Sequence, residues 1–183
     1  MAKLVEKTYG DALLELSVES GNMDELFEEA KAVKEILEVN SELVQLLNHP
    51  KVGKEEKIKV LEEVFKGKIT DDMLGFILLV VRKDRQKELI KVLGYFIDQV
   101  KEYKKIGVAT VTTAVELDEK QKESIAKKLI DTTSYNSFEI EYSIDKSLIG
   151  GMIIRVGDKV IDSTIKSKIE NMSRDLYKIR LEM

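Results

Sequence analysis

The sequence holds no cysteine and no tryptophan, one histidine and one proline among 183 residues. Without cysteine there is neither a disulfide nor thiolate chemistry, a composition that fits a reducing compartment. A lone histidine, His49, supplies no histidine metal cluster and no relay beyond one ring. Standing directly before Pro50, it reads as a loop residue. Aromatic residues make up 6% of the chain and are not interleaved with basic ones, so single-stranded nucleic acid finds no stacking platform. The longest apolar run, residues 73–81, falls well short of the roughly 18 residues a membrane span needs. A glycine-rich phosphate loop ending in Gly-Lys-Ser/Thr is also missing. Nor does either half carry a basic excess. Residues 1–105 have 18 basic against 21 acidic residues and residues 106–183 have 12 against 13, which argues against bulk attraction to nucleic acid.

What is present is a soluble globular composition, 43% apolar and 35% charged, with a change of period near residue 105. Before it the pattern is helical. Apolar residues at 4, 5, 8/9, 12, 13 and 16 make a stripe that Gly21 stops. A second helix carries Leu26, Phe27, Ala30, Val33, Ile36 and Leu37, with Glu28, Glu29, Lys34 and Glu35 on a side read as solvated. Ser41 is read as the cap of a short third helix that Pro50 ends, and a fourth spans about 54–65. Thr70 with Asp71 and Asp72 starts a fifth helix whose sequence MLGFILLVV is apolar on two sides. Leu74, Ile77, Leu78 and Val81 form one stripe, and Met73, Phe76, Leu79 and Val80 the other. Either one stripe awaits a partner or the helix is buried on all sides. A sixth helix, 86–104, completes an expected six-helix bundle.

After residue 105 the period drops to two over 106–115, a strand. Asp118 caps a helix to about 132, and 138–144 alternates as a half-buried strand. Val156-Gly157-Asp158-Lys159 then places glycine first of two central turn residues, as a type II′ hairpin requires. The turn sets Ile154 opposite Ile161 and Arg155 diagonal to Asp162, with Asp162 or Ser163 left to cap the last helix. That helix, about 164–181, repeats Ile165, Ile169, Met172, Leu176 and Ile179 at spacings of four and three. The expected fold class is α+β, a helical domain 1–105 followed by a small α/β domain 106–183 with a β-hairpin and a terminal helix. Carboxylates pair with lysines at helical spacing, as in Glu55/Lys59 and Glu62/Lys66, and none stands alone in an apolar setting. No catalytic, metal or cofactor residue is expected.

Several of these residues carry a resemblance. Asp145, Leu148, Ile149, Gly150 and Gly151 spell Asp-x-x-Leu-Ile-Gly-Gly ahead of an apolar strand, the Gly157-Asp158 turn and Asp162 at a helix start. Upstream, Tyr9-Gly10-Asp11-Ala12-Leu13, the Asn48-His49-Pro50 break and Arg85 after the fifth helix fall in matching order. This series resembles the delta subunit of F-type ATP synthase, the family that includes the mitochondrial oligomycin-sensitivity-conferring protein. Lys146 stands where that family often has proline, Ser163-Thr164 shifts its helix-start serine, and Gly10 replaces its common alanine.

The resemblance implies a non-catalytic stator in the peripheral stalk, linking the catalytic head to the membrane sector so that rotation is coupled to ATP synthesis. It also implies that helices one and five hold an N-terminal segment of the alpha subunit, with Tyr9, Leu13, Phe76, Leu79 and Val80 bordering the groove. The C-terminal domain would engage the C-terminal helices of the b subunits through Ile169, Met172, Leu176 and Ile179. Partners would include no nucleic acid. The N-terminus starts at once on a helical stripe, with neither a signal-peptide core nor a transit segment. Together with the resemblance this implies the cytoplasmic face of a bacterial plasma membrane as the expected place, peripheral and without membrane insertion. The alternatives are a nucleotide-responsive protein using Gly150-Gly151 and an RNA-associated helical protein.

Overall fold

A computed structural model describes the backbone of residues 2–181 and the side chains of residues 4–174. The chain forms two compact units, Met1–Tyr103 and Lys104–Met183. The first holds α1 (Ala2–Glu19), α2 (Met23–Val39), α3 (Ser41–Asn48), α4 (Lys54–Phe65), α5 (Asp71–Arg82), a 3-10 turn (Gln86–Glu88) and α6 (Leu89–Lys104). Helical spacing of apolar residues drives each helix to bury one face, and Leu13, Leu26, Val33, Leu61, Ile77 and Phe96 meet in one core.

Two details differ from the sequence reading, and a third decides between alternatives it left open. Ser41 is the first residue of α3, and Asn40 before it turns its side-chain amide back to donate to Ile36 O at 2.8 Å, so it serves the end of α2. The second stripe of α5 is not in surplus. Met73, Phe76 and Val80 are buried together with Leu74, Ile77, Leu78 and Val81, which leaves Leu79 as the one large apolar side chain of α5 that is exposed. The other difference is Glu29. Rather than lying solvated, its carboxylate accepts from the Thr70 N–H and from the Thr70 hydroxyl, both at 2.7 Å, while Thr70 Oγ1 accepts from Met73 N at 3.3 Å. Glu29 thereby fixes the start of α5 against α2 and adds negative charge at its positive end. Glu29→Ala is expected to destabilise the first unit by about 2 kcal/mol and Glu29→Gln by less, since the amide keeps an acceptor. Urea denaturation of the two variants measures the difference.

Gly10 also finds its reason. A Cβ there would lie 2.3 Å from Cδ1 of Tyr95, whose hydroxyl donates to Asp11 at 3.1 Å. Close packing of the ring on the bare backbone compensates for the helix propensity that glycine lacks.

The second unit holds β1 (Ile106–Thr113), α7 (Glu119–Thr132), β2 (Ser137–Ile144), β3 (Met152–Val156), β4 (Lys159–Asp162) and α8 (Ile165–Leu181). Its sheet runs in the order β2-β1-β3-β4, with β1 parallel to β2 across the α7 crossover and the remaining pairs antiparallel. Asp118 starts α7 with a reciprocal box: its carboxylate accepts from Gln121 N at 2.7 Å and its own N–H donates to Gln121 Oε1 at 3.1 Å. Ile125 and Leu129 of α7 bury against Ala109 and Val111 of β1, with Phe138, Ile140 and Tyr142 of β2 around them. The architecture is α+β, with eight α-helices and a four-stranded mixed sheet among the described residues.

Candidate partner-binding surfaces

The segment from Asp145 to Ile165 builds a buckle. Gly151 has φ +86°, and a Cβ on it would lie 2.4 Å from Ser163 O and 2.8 Å from Thr164 Cα. Ser163 N donates to Met152 O at 2.9 Å, and Ile165 N donates to Gly150 O at 3.0 Å. Gly151 thus lets one backbone lie directly on another, while Gly150 makes room for the Ile165 side chain and its carbonyl holds the first residue of α8. They do not cradle a phosphate, because the surface they free is filled by residues 163–165.

The hairpin register is the one the turn dictates. Val156 pairs with Lys159, Arg155 with Val160 and Ile154 with Ile161, and Gly157 has φ +55°. The cap of α8 differs from both expected residues. Thr164 Oγ1 accepts from Ser167 N at 3.2 Å, and Asp162 reinforces it by accepting from Thr164 N at 2.8 Å and from the Ser167 hydroxyl at 2.6 Å. Bonds from the Ser167 hydroxyl and then the Thr164 amide hold the Asp162 carboxyl below its ordinary value of 3.8. In the same way the Ser147 hydroxyl and amide lower Asp145.

A depressed carboxyl stabilises the fold above its unfolded value and loses that contribution as pH falls through the native one. The start of α8 is therefore expected to loosen only below pH 3.8, the ordinary value of Asp162. Helical signal followed during acid titration should show this step in the wild type and not in Asp162→Asn.

The expected partner residues fall into three groups. Leu79 is 47% exposed and Tyr9 half-buried, whereas Leu13 and Val80 are 0% and Phe76 8% exposed, inside the core of the free unit. On α8, Ile169 and Met172 are exposed at 59% and 66%, together with Ile165. The side chains of Leu176 and Ile179 lie outside the described residues. Sequence reasoning did not single out an open trough between α7 and the β3–β4 hairpin, formed by adjoining cavities of about 330 and 710 Å³. Among the described residues no three His, Asp or Glu side chains gather as a metal site, and no helix is long and apolar enough to cross a membrane.

The family model of the ATP synthase delta (OSCP) subunit matches residues 5–176. The chain belongs to the ATP synthase delta (OSCP) subunit family. ATP synthase subunit delta of Lachnoclostridium phytofermentans is 49% identical over 181 residues, 99% of this chain and 100% of the relative. That of Desulforamulus reducens is 35% identical over 172 residues, covering 94% of each. That of Prochlorococcus marinus is 34% identical over 174 residues, 95% of this chain and 97% of the relative. A chain in the cryo-EM structure of the Toxoplasma gondii mitochondrial ATP synthase hexamer matches with a TM-score of 0.70 over 94% of this chain and 97% of that one. At 17% identity that likeness shows a shared fold. As a delta (OSCP) subunit the chain is a peripheral-stalk component of F-type ATP synthase.

Proposed function

We propose that this delta subunit is a non-catalytic link whose helical unit, residues 1–105 in the sequence reading, grips the alpha-subunit N-terminal segment. The remaining residues, 106–183, engage the C-terminal helices of the b subunits, on the cytoplasmic face of a bacterial plasma membrane. The observation that carries this reading is the match of whole chain to whole chain with bacterial relatives named subunit delta. Two surfaces support it. On α5 the exposed positions Asp71, Gly75, Leu79 and Arg82 make one stripe, and a Cβ added at Gly75 meets no atom within 4 Å, so a partner helix can approach the backbone there. Leu79 and Tyr9 are the contact residues. Leu13, Phe76 and Val80 act from inside the core, holding the helices that carry them.

On α8 the exposed Ile165, Ile169 and Met172 form a seam, which Leu176 and Ile179 extend in the sequence. The buckle at Gly150-Gly151 is packed against residues 163–165, which speaks against a phosphate cradle at that segment. The test titrates the full chain with an alpha N-terminal peptide and, separately, with a soluble b C-terminal fragment, and assays ATP turnover. Both ligands are expected to bind and no ATP to be hydrolysed. Turnover abolished by a substitution in this chain, or indifference to both ligands, overturns the reading.

A further inference from the structure

Three buried side-chain oxygens among the described residues lack a hydrogen-bond partner: Asn22 Oδ1, Asn48 Oδ1 and Gln86 Oε1. The last two belong to residues that line one small cavity of about 20 Å³. Asn48 is the last residue of α3, directly before His49 and Pro50, and Gln86 opens the 3-10 turn that leads into α6. α3 and that turn pack on each other, which brings two amides far apart in the chain to one place.

An amide oxygen shut away from water without a donor destabilises a fold, and native structures seldom leave two in one cavity. The rest of the lining offers little relief. Leu37, Val44, Leu47, Leu89 and Ile90 are apolar, and Lys87, the one charged residue of the lining, is exposed.

We propose that this cavity is the binding site of one structural water molecule, which donates one O–H to Asn48 Oδ1 and the other to Gln86 Oε1 and so pins the end of α3 to the start of α6. Size and count both select water. A buried water needs roughly 10 to 15 Å³ of space and about two to four polar partners, and its two O–H groups match the two acceptors. A calcium or magnesium ion would need about six oxygens or more, and no carboxylate lines the cavity to balance its charge. The break after α3 thereby gains a use beyond stopping a helix. The chain turns extended at His49, and Asn48 is left as the residue of the break that lines the cavity. None of these residues belongs to the partner contacts proposed above, so the site stands or falls apart from them.

The test uses the full chain with labelled leucine, isoleucine and valine methyl groups. Nuclear Overhauser measurements should show a long-lived water next to Val44, Leu47 and Ile90, and Asn48→Leu with Gln86→Met should remove it. Lys87→Met should leave it in place; its loss there would mean that the ammonium, not the pair of amides, holds the water. Thermal melting gives a second readout. Asn48→Leu alone or Gln86→Met alone leaves one oxygen with half a bridge and should lower the melting temperature of the helical unit by about 5 °C. The double variant has no oxygen left to satisfy and should melt above either single one. Losses that add in the double variant overturn the bridge. Absence of the water signal from the wild type, or a crystal structure with the two amides bonded directly to each other, overturns the site.

Discussion

Val80→Lys is expected to unfold the helical unit, while Leu79→Lys, one residue earlier, leaves it folded and weakens the proposed hold on the alpha-subunit segment. Val80 is 0% exposed, so a lysine there must either bury an unpaired ammonium or force α5 away from the core, a loss above about 4 kcal/mol. At 47% exposure Leu79 gives a lysine a path to water, and a surface change of this kind stays within about 0.5 kcal/mol. Its effect falls on binding. Loss of an anchoring contact is worth about 2 kcal/mol, close to thirtyfold in affinity for the alpha N-terminal peptide. Thermal melting of each variant beside peptide titration separates the two outcomes. An intact Leu79→Lys fold with unchanged affinity removes Leu79 from the site, and a folded Val80→Lys contradicts the packing of α5.

A second large effect is expected at Gly151. Alanine there must hold φ +86° and place its Cβ 2.4 Å from a backbone carbonyl of the segment entering α8, which has no side chain to swing aside. Left-handed strain of about 1 to 2 kcal/mol adds to the cost of parting two backbones, for a total near 3 kcal/mol or more. Gly157→Ala is the control. It also requires a positive φ, but its Cβ meets no atom within 4 Å, so the strain alone, about 1 kcal/mol, remains. Denaturant unfolding of the second unit should rank the variants in that order. Binding of the b fragment should fail first in Gly151→Ala, because the direction in which α8 leaves the sheet depends on the buckle.

What the sequence made legible was what neighbours along the chain determine. The change from a helical to a strand period near residue 105, the register set by Gly157 and the start of α7 at Asp118 are all local, and the spacing from Asp145 to Asp162 was enough to identify the family resemblance. Depth was harder. Two apolar stripes on α5 look alike in sequence whether one faces a partner or both face a core, and only packing against α2 and α4 decides that Val80 goes in and Leu79 stays out. Glu29 was hidden for a different reason: its partner Thr70 lies 41 residues away, beyond any periodic signal. The cap of α8 was misplaced by one or two positions because Asp162, Ser163 and Thr164 are all competent caps, and the carbonyl of Gly150 selects among them by fixing Ile165. The trough beside α7 has no local signature. It arises because the crossover helix settles over β1 and β2, leaving half a face of alternating residues that reads in sequence like any half-buried strand.

The strand order carries a kinetic consequence. In the helical unit most stabilising contacts lie within a helix or between helices close in the chain, whereas β1 must wait for β2 across the whole α7 crossover and then for β3, which arrives after Gly151. Closing those loops costs entropy before any pairing returns it, so the sheet unit is the slower to fold. During synthesis the helical unit emerges first and is complete while the sheet still lacks its third and fourth strands. The surface proposed for the catalytic head is therefore ready earlier than the one proposed for the stalk, which gives assembly a direction written into the order of the elements.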